Sequence, residues 1–159
     1  MDSSAQSYSL LSLHLSHRTQ QLINLLTHSL SFDSRNPSST KRYSQLLIRL
    51  GEDDLARSTY LSSRANYVKQ KIRAMQHPGA YGASEVDSFV EAIAWIVVRI
   101  IRNTWGVYND VLGDSRTTSS FFEWCKEQVE GISPSVPPSH HHHYPRVLAF
   151  CPPFLVCRD

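Results

Sequence analysis

A chain of 159 residues is long enough for one domain with its own core and too short for two well-packed ones. Sixteen Lys and Arg against fourteen Asp and Glu leave a formal charge of +2, too small for nucleic-acid or membrane binding driven by net field alone, so any basic patch has to be local. Cys125, Cys151 and Cys157 are odd in number, lack CxxC spacing and follow no basic signal region at Met1-Asp2-Ser3-Ser4, which argues against a disulfide framework and for a reducing, cytosolic location.

Leu11, Leu15, Leu22, Leu25, Leu26 and Leu30 fall close to one side of a 3.6-residue period, with Ser, Gln and Asn between them. That pattern predicts a first helix with a core-facing leucine stripe. It stops at Asp33-Ser34-Arg35-Asn36-Pro37, because proline disfavours helical geometry at the residue before it, and Ser38 or Ser39 is the expected cap of the next helix. Tyr43, Leu46, Leu47 and Leu50 then carry a brief second helix, which Gly51 ends as a left-handed terminating residue. Asp53 and Asp54 open a third helix at the positive end of its dipole. Its apolar line is Leu61, Ala65, Val68, Ile72 and Met75, and Pro78-Gly79 is its expected end.

Ser84 and Asp87 resemble a capping box at the start of the longest helix. Its stripe runs Val86, Phe89, Val90, Ile93, Ile96, Val97, Ile100, Ile101, Val107, Tyr108 and Val111, widened by Trp95 and Trp105, so this helix is expected to be central. The most apolar part, Ala92 to Ile101, covers ten residues including Arg99, half the ~20 that a spanning helix needs, and is expected to be buried in protein rather than to form a transmembrane segment. Gly113, Asp114 and Ser115 stop it and cap a fifth helix carrying Phe121, Phe122, Cys125 and Val129. The fold class is therefore all-α, about five helices with short loops in an antiparallel bundle over residues 7–132. From residue 133 the composition changes to prolines, the histidine run His140 to His143 and a proline-interrupted apolar end, expected to be a disordered tail over 133–159.

Chemistry has few candidates. The four adjacent histidines are competent metal ligands, but in a proline-rich segment they lack the fixed geometry and supporting partners of a zinc site, so no metal and no cofactor is expected. His14, His17 and His28 have no HExxH pattern, no serine sits in a GxSxG elbow, no glycine pattern marks a phosphate loop, and Cys125 lies on an apolar helix line. No catalytic residue is expected, and the chain is read as not an enzyme. Arg57, Arg64, Lys69, Lys71 and Arg73 on the third helix form the local basic cluster. Arg64, Lys69 and Arg73 are the candidate partner or lipid contacts, against the plainer reading that they solvate the face opposite Leu61, Val68 and Ile72. Trp95 and Trp105 are read as core residues in preference to interface anchors.

Several strings together resemble a known family. They are Ser39-Thr40-Lys41-Arg42-Tyr43 with Leu46-Leu47-Ile48-Arg49-Leu50-Gly51; Leu55-Ala56-Arg57-Ser58-Thr59-Tyr60-Leu61-Ser62-Ser63-Arg64 with Tyr67-Val68-Lys69 and Lys71-Ile72-Arg73; Ile100-Ile101-Arg102-Asn103-Thr104-Trp105; and Phe121-Phe122-Glu123-Trp124-Cys125-Lys126-Glu127-Gln128-Val129. In order and spacing they resemble the carboxy-terminal helical region of the fungal Exo-eighty-four subunit of the exocyst, over about residues 38 to 130. The resemblance implies a cullin-repeat-like stack of helices without an active site, and a scaffold role in tethering secretory vesicles for exocytosis. It implies other exocyst subunits as partners, with small GTPases and an anionic membrane surface as further candidates and no nucleic acid. The implied location is cytoplasmic, on secretory vesicles and at sites of polarised growth at the plasma membrane. Relative to the family, upstream assembly helices and a pleckstrin-homology-like domain are missing and the tail replaces helices expected after Val129, as in a truncated form. The alternative of a different class is a membrane-surface or nucleic-acid binder using the basic third helix, which predicts salt-dependent binding.

Overall fold

The computed structural model describes residues 3–75, 86–113 and 118–131. Among them the chain is all-α: α1 (Ser3–Asp33), α2 (Pro37–Arg49), α3 (Asp53–Met75), α4 (Val86–Val111) and α5 (Thr118–Glu130), with no strand. The expected ends at Pro78-Gly79, the capping box at Ser84, the cap at Asp114 and Ser115, the histidine run and the tail from 133 lie outside the described residues. The chain divides into two compact units, Met1–Tyr60 and Leu61–Asp159, the division falling inside α3.

In the first unit, α1 packs against α2. Ile23, Leu26, Leu30 and Ser34 are buried on α1 and its end, and Thr40, Ser44 and Leu47 on α2. The turn between them is built by Asn36 rather than by a serine: Asn36 is the N-cap, its side-chain oxygen accepting from the backbone N–H groups of Ser38 at 3.1 Å and Ser39 at 3.4 Å. Pro37 occupies the first helical position, where the missing N–H costs nothing. At the far end Gly51 adopts φ +81°; its N–H donates to Ile48 O at 2.9 Å and that of Glu52 to Leu47 O at 3.0 Å. This is a Schellman closure, which needs a residue without a Cβ penalty in the left-handed region. Asp53 and Asp54 then stand in the first turn of α3, with Asp54 paired to Arg57.

The expected leucine stripe of α1 is only partly a core. Leu26 and Leu30 are buried with Ile23, whereas Leu11, Leu15, Leu22 and Leu25 are exposed. Length explains the shortfall. The 31 residues of α1 extend about 46 Å and the 13 of α2 about 20 Å, so α2 covers less than half of α1. The buried face is also rotated from the leucine row, toward Ile23 and Ser34.

In the second unit the buried line of α3 is Leu61, Arg64, Val68 and Ile72, with Ala65 and Met75 half-buried. From α4 come Ile93, Ala94, Val97, Ile100, Ile101, Thr104 and Tyr108, the largest buried set of any helix. Each buried Val or Ile here is worth about 1.5–3 kcal/mol against exposure, which makes α4 the main apolar contributor. α5 brings Phe121, Trp124, Cys125 and Gln128. The Phe121 ring lies 4.9 Å from that of Trp105 and 5.2 Å from that of Tyr108, both pairs tilted, in the geometry aromatic quadrupoles favour. The Trp124 indole N–H donates to Leu61 O at 2.9 Å, fastening α5 to α3.

Candidate interaction surfaces

The basic residues of α3 separate by face. Arg64 is 6% exposed; its Nε–H donates to Thr104 Oγ1 at 3.0 Å, and Thr104 Oγ1 in turn donates to Ile100 O at 2.7 Å on α4. Its guanidinium carbon also stands 5.0 Å from the centre of the Tyr67 ring, within cation–π range. Arg64 therefore ties α3 to α4 inside the second unit. Lys69 and Arg73 are exposed, four residues apart on one side of the helix. Lys71 is exposed as well, with its ammonium 5.5 Å from the Tyr67 ring centre. The structure thus brings Lys69 and Arg73 together at the surface and does not bring Arg64 to them.

The two tryptophans of α4 part in the same way. Trp105 is half-buried against Phe121. Trp95, expected in the core, is 59% exposed, with the Arg99 guanidinium 5.7 Å from its ring centre. Glu91, Arg99 and Arg102 are exposed with it, so Trp95 widens the polar side of α4 rather than the apolar one. An indole beside arginine at the surface combines two of the three residue types most enriched at binding hot spots.

On α1, Tyr8, Leu11, Leu15, Leu22, Leu25 and Phe32 are all exposed. Single exposed leucines are ordinary on protein surfaces; a row of this length along one helix is not. Among the described residues no group of three His, Cys, Asp or Glu side chains is placed to hold a metal ion, and no helix is long and apolar enough to cross a membrane. Cys125 is buried and forms no disulfide among the described residues. What the described residues offer is a set of helix surfaces: apolar on α1, basic on α3, aromatic and basic on α4.

Neither the burial of Arg64 nor the exposure of the α1 row follows from periodicity. Positions 64 and 65 fit the buried line of α3 equally well, and a charged residue is by default assigned outward. Only a non-local partner, Thr104, decides otherwise. The row on α1 reads as core by the same period that makes Leu26 and Leu30 core.

The family described as Exocyst component 84 C-terminal matches residues 1–133, so the matched region takes in α1, whose serine- and leucine-rich sequence carries no distinctive string. A protein of Cryptococcus neoformans named Exocyst complex component EXO84 is 28% identical over 130 residues, 82% of this chain and 18% of that protein. Proteins of the same name from Aspergillus fumigatus and Schizosaccharomyces pombe are 24% identical over 116 residues and 22% over 128, covering 73% and 80% of this chain and 16% and 21% of theirs. The chain therefore spans about a fifth or less of the length of these relatives. No solved structure matches.

Proposed function

The chain belongs to the exocyst component 84 family, matching that family's C-terminal region, and from this premise we propose that it is a non-catalytic component of the exocyst that acts in tethering secretory vesicles. The observation that carries this reading is the family match over residues 1–133. The helix surfaces described above support it, since a scaffold acts by presenting rigid faces to other proteins. Other exocyst subunits are the proposed partners, with small GTPases as further ones. The proposed location is the cytoplasmic side of secretory vesicles and sites of polarised growth at the plasma membrane. Depleting the protein in the cells that make it is expected to slow release of a secreted reporter enzyme and to accumulate vesicles beneath sites of growth, seen by electron microscopy. Unchanged secretion and vesicle number after full depletion would count against the role.

A second reading rests on the paired exposure of Lys69 and Arg73. We propose that these two residues touch an anionic membrane surface, with Arg64 contributing only by holding α3 in place. Juxtaposed basic residues gain about 1 kcal/mol each near such a surface. Co-sedimentation with vesicles containing phosphatidylserine is expected at low salt, to weaken as salt rises, and to weaken again in Lys69→Glu with Arg73→Glu. Equal binding of the variant would remove the assignment, and binding to duplex DNA of similar strength would favour a general polyanion surface instead.

A further inference from the structure

The exposed row on α1 has a spacing of its own. Tyr8, Leu11, Leu15, Arg18, Leu22, Leu25, Ser29 and Phe32 follow one another at alternating intervals of three and four residues. They occupy successive a and d positions of an unbroken heptad, with Tyr8, Leu15, Leu22 and Ser29 at a and the others at d. Six of the eight are large and apolar, and all six are exposed, from 47% at Leu22 to 81% at Phe32. This seam is distinct from the face that packs on α2. Ile23, Leu26 and Leu30 are buried there, while Leu22, Leu25 and Phe32 in the same turns remain outside, so the seam is open from Tyr8 to Phe32 except at the half-buried Ser29.

A seam of two residues in seven is what a single helix covers. A membrane surface calls for a wider apolar face flanked by Lys and Arg, and α1 carries Arg18 as its one Lys or Arg. Leu10 and Leu13 are exposed too, but they fall at c and f, off the seam. Arg18 states what the occupant has to bring. It sits at a d position, where its guanidinium meets the Gln21 side-chain oxygen at 3.5 Å, and a cation enclosed in an apolar seam requires a carboxylate. Between Ser3 and Phe32 there is no Asp or Glu, so the seam of a second copy cannot provide one. A parallel pair sets Arg18 against Arg18, and the antiparallel pair in which Tyr8 meets Phe32 sets each Arg18 against Leu22.

We propose that this face of α1 docks one helix of another protein, about 25 residues long, apolar at its own a and d positions and carrying one Asp or Glu in the layer that meets Arg18. The positions that flank Arg18, His14 and Gln21 at g and Ser12 and Thr19 at e, carry no acid, and Asp33, at the last e position, lies about four turns away, so the buried pair rather than flanking charge sets the register. The inference goes beyond the scaffold reading and does not depend on it, because binding in solution succeeds or fails whatever the role in secretion.

The test uses the full chain and two labelled peptides of about four heptads with leucine at a and d, identical except for Glu or Lys at one central seam position. Fluorescence anisotropy is expected to show the Glu peptide binding at least about tenfold more tightly than the Lys peptide. Arg18→Glu is expected to reverse that order, and Leu15→Glu with Leu22→Glu to abolish both. All these side chains are exposed, so circular dichroism should find the variants as helical as the parent. Failure of the Glu peptide to bind, or equal binding of both peptides, would overturn the proposal. So would sedimentation of the parent as a dimer that Leu15→Glu with Leu22→Glu returns to monomer, since a second copy would then be the occupant.

Discussion

Arg64 and Thr104 stand 40 residues apart in sequence and 3.0 Å apart in space, and each is there because of the other. A guanidinium with 6% exposure is tolerable only with its N–H groups engaged, and Thr104 both accepts from it and returns its own proton to the Ile100 carbonyl. Thr104→Val keeps the shape and removes the acceptor, and should lower unfolding free energy by about 1.5–3 kcal/mol in urea titration, with Thr104→Ser retaining most of the stability. A loss under about 0.5 kcal/mol would mean that the bond is incidental. At this scale, legibility tracked locality. Gly51 was readable as a helix stop because its signal is contained in the residues around it. Asn36, Ser38 and Ser39 are all competent caps, so the serines the sequence points to yield to Asn36, and Pro37 lies at the first helical position rather than outside the helix. Arg64 is buried through a partner 40 residues away, Thr104, whereas Trp95 is exposed on the side of α4 that carries Arg99; an apolar period reveals neither.

The five helices themselves were legible, because each is filled by an apolar period, with Pro37 and Gly51 punctuating the first three. The period does not say whether a covering element exists. α1 carries enough leucine for two faces and has α2 on one of them, so its two kinds of leucine should behave oppositely. Leu30→Ala, at a fully buried position, is expected to cost about 2–5 kcal/mol. Leu15→Ala, at a side chain 59% exposed, is expected to change stability by less than about 0.5 kcal/mol. Thermal unfolding followed by circular dichroism separates the two. Equal costs would mean that Leu15 is covered in solution. The exposed amino half of α1 also lacks the packing that usually sustains a helix, which is why a partner helix along its seam is a structural expectation as well as a functional one.

For the whole molecule, composition excluded more than it chose: a charge of +2 and an odd number of cysteines without CxxC spacing argued against several classes without selecting one. The selection came from strings distributed over the second, third, fourth and fifth helices, and the family match widens their span from about residues 38 to 130 to residues 1–133. That widening matters physically, since it brings the exposed face of α1 into the region whose partners are in question. The apolar, basic and aromatic helix faces open to solvent are the surfaces that the proposed place in the exocyst would use. The proposed membership can be measured directly. The endogenous protein, tagged at its carboxy end, is purified by affinity and the co-purifying proteins are quantified by mass spectrometry. Recovery of several other exocyst subunits in near-equal amounts is the expected result, and recovery of the tagged protein alone, at normal abundance, would contradict the proposed function.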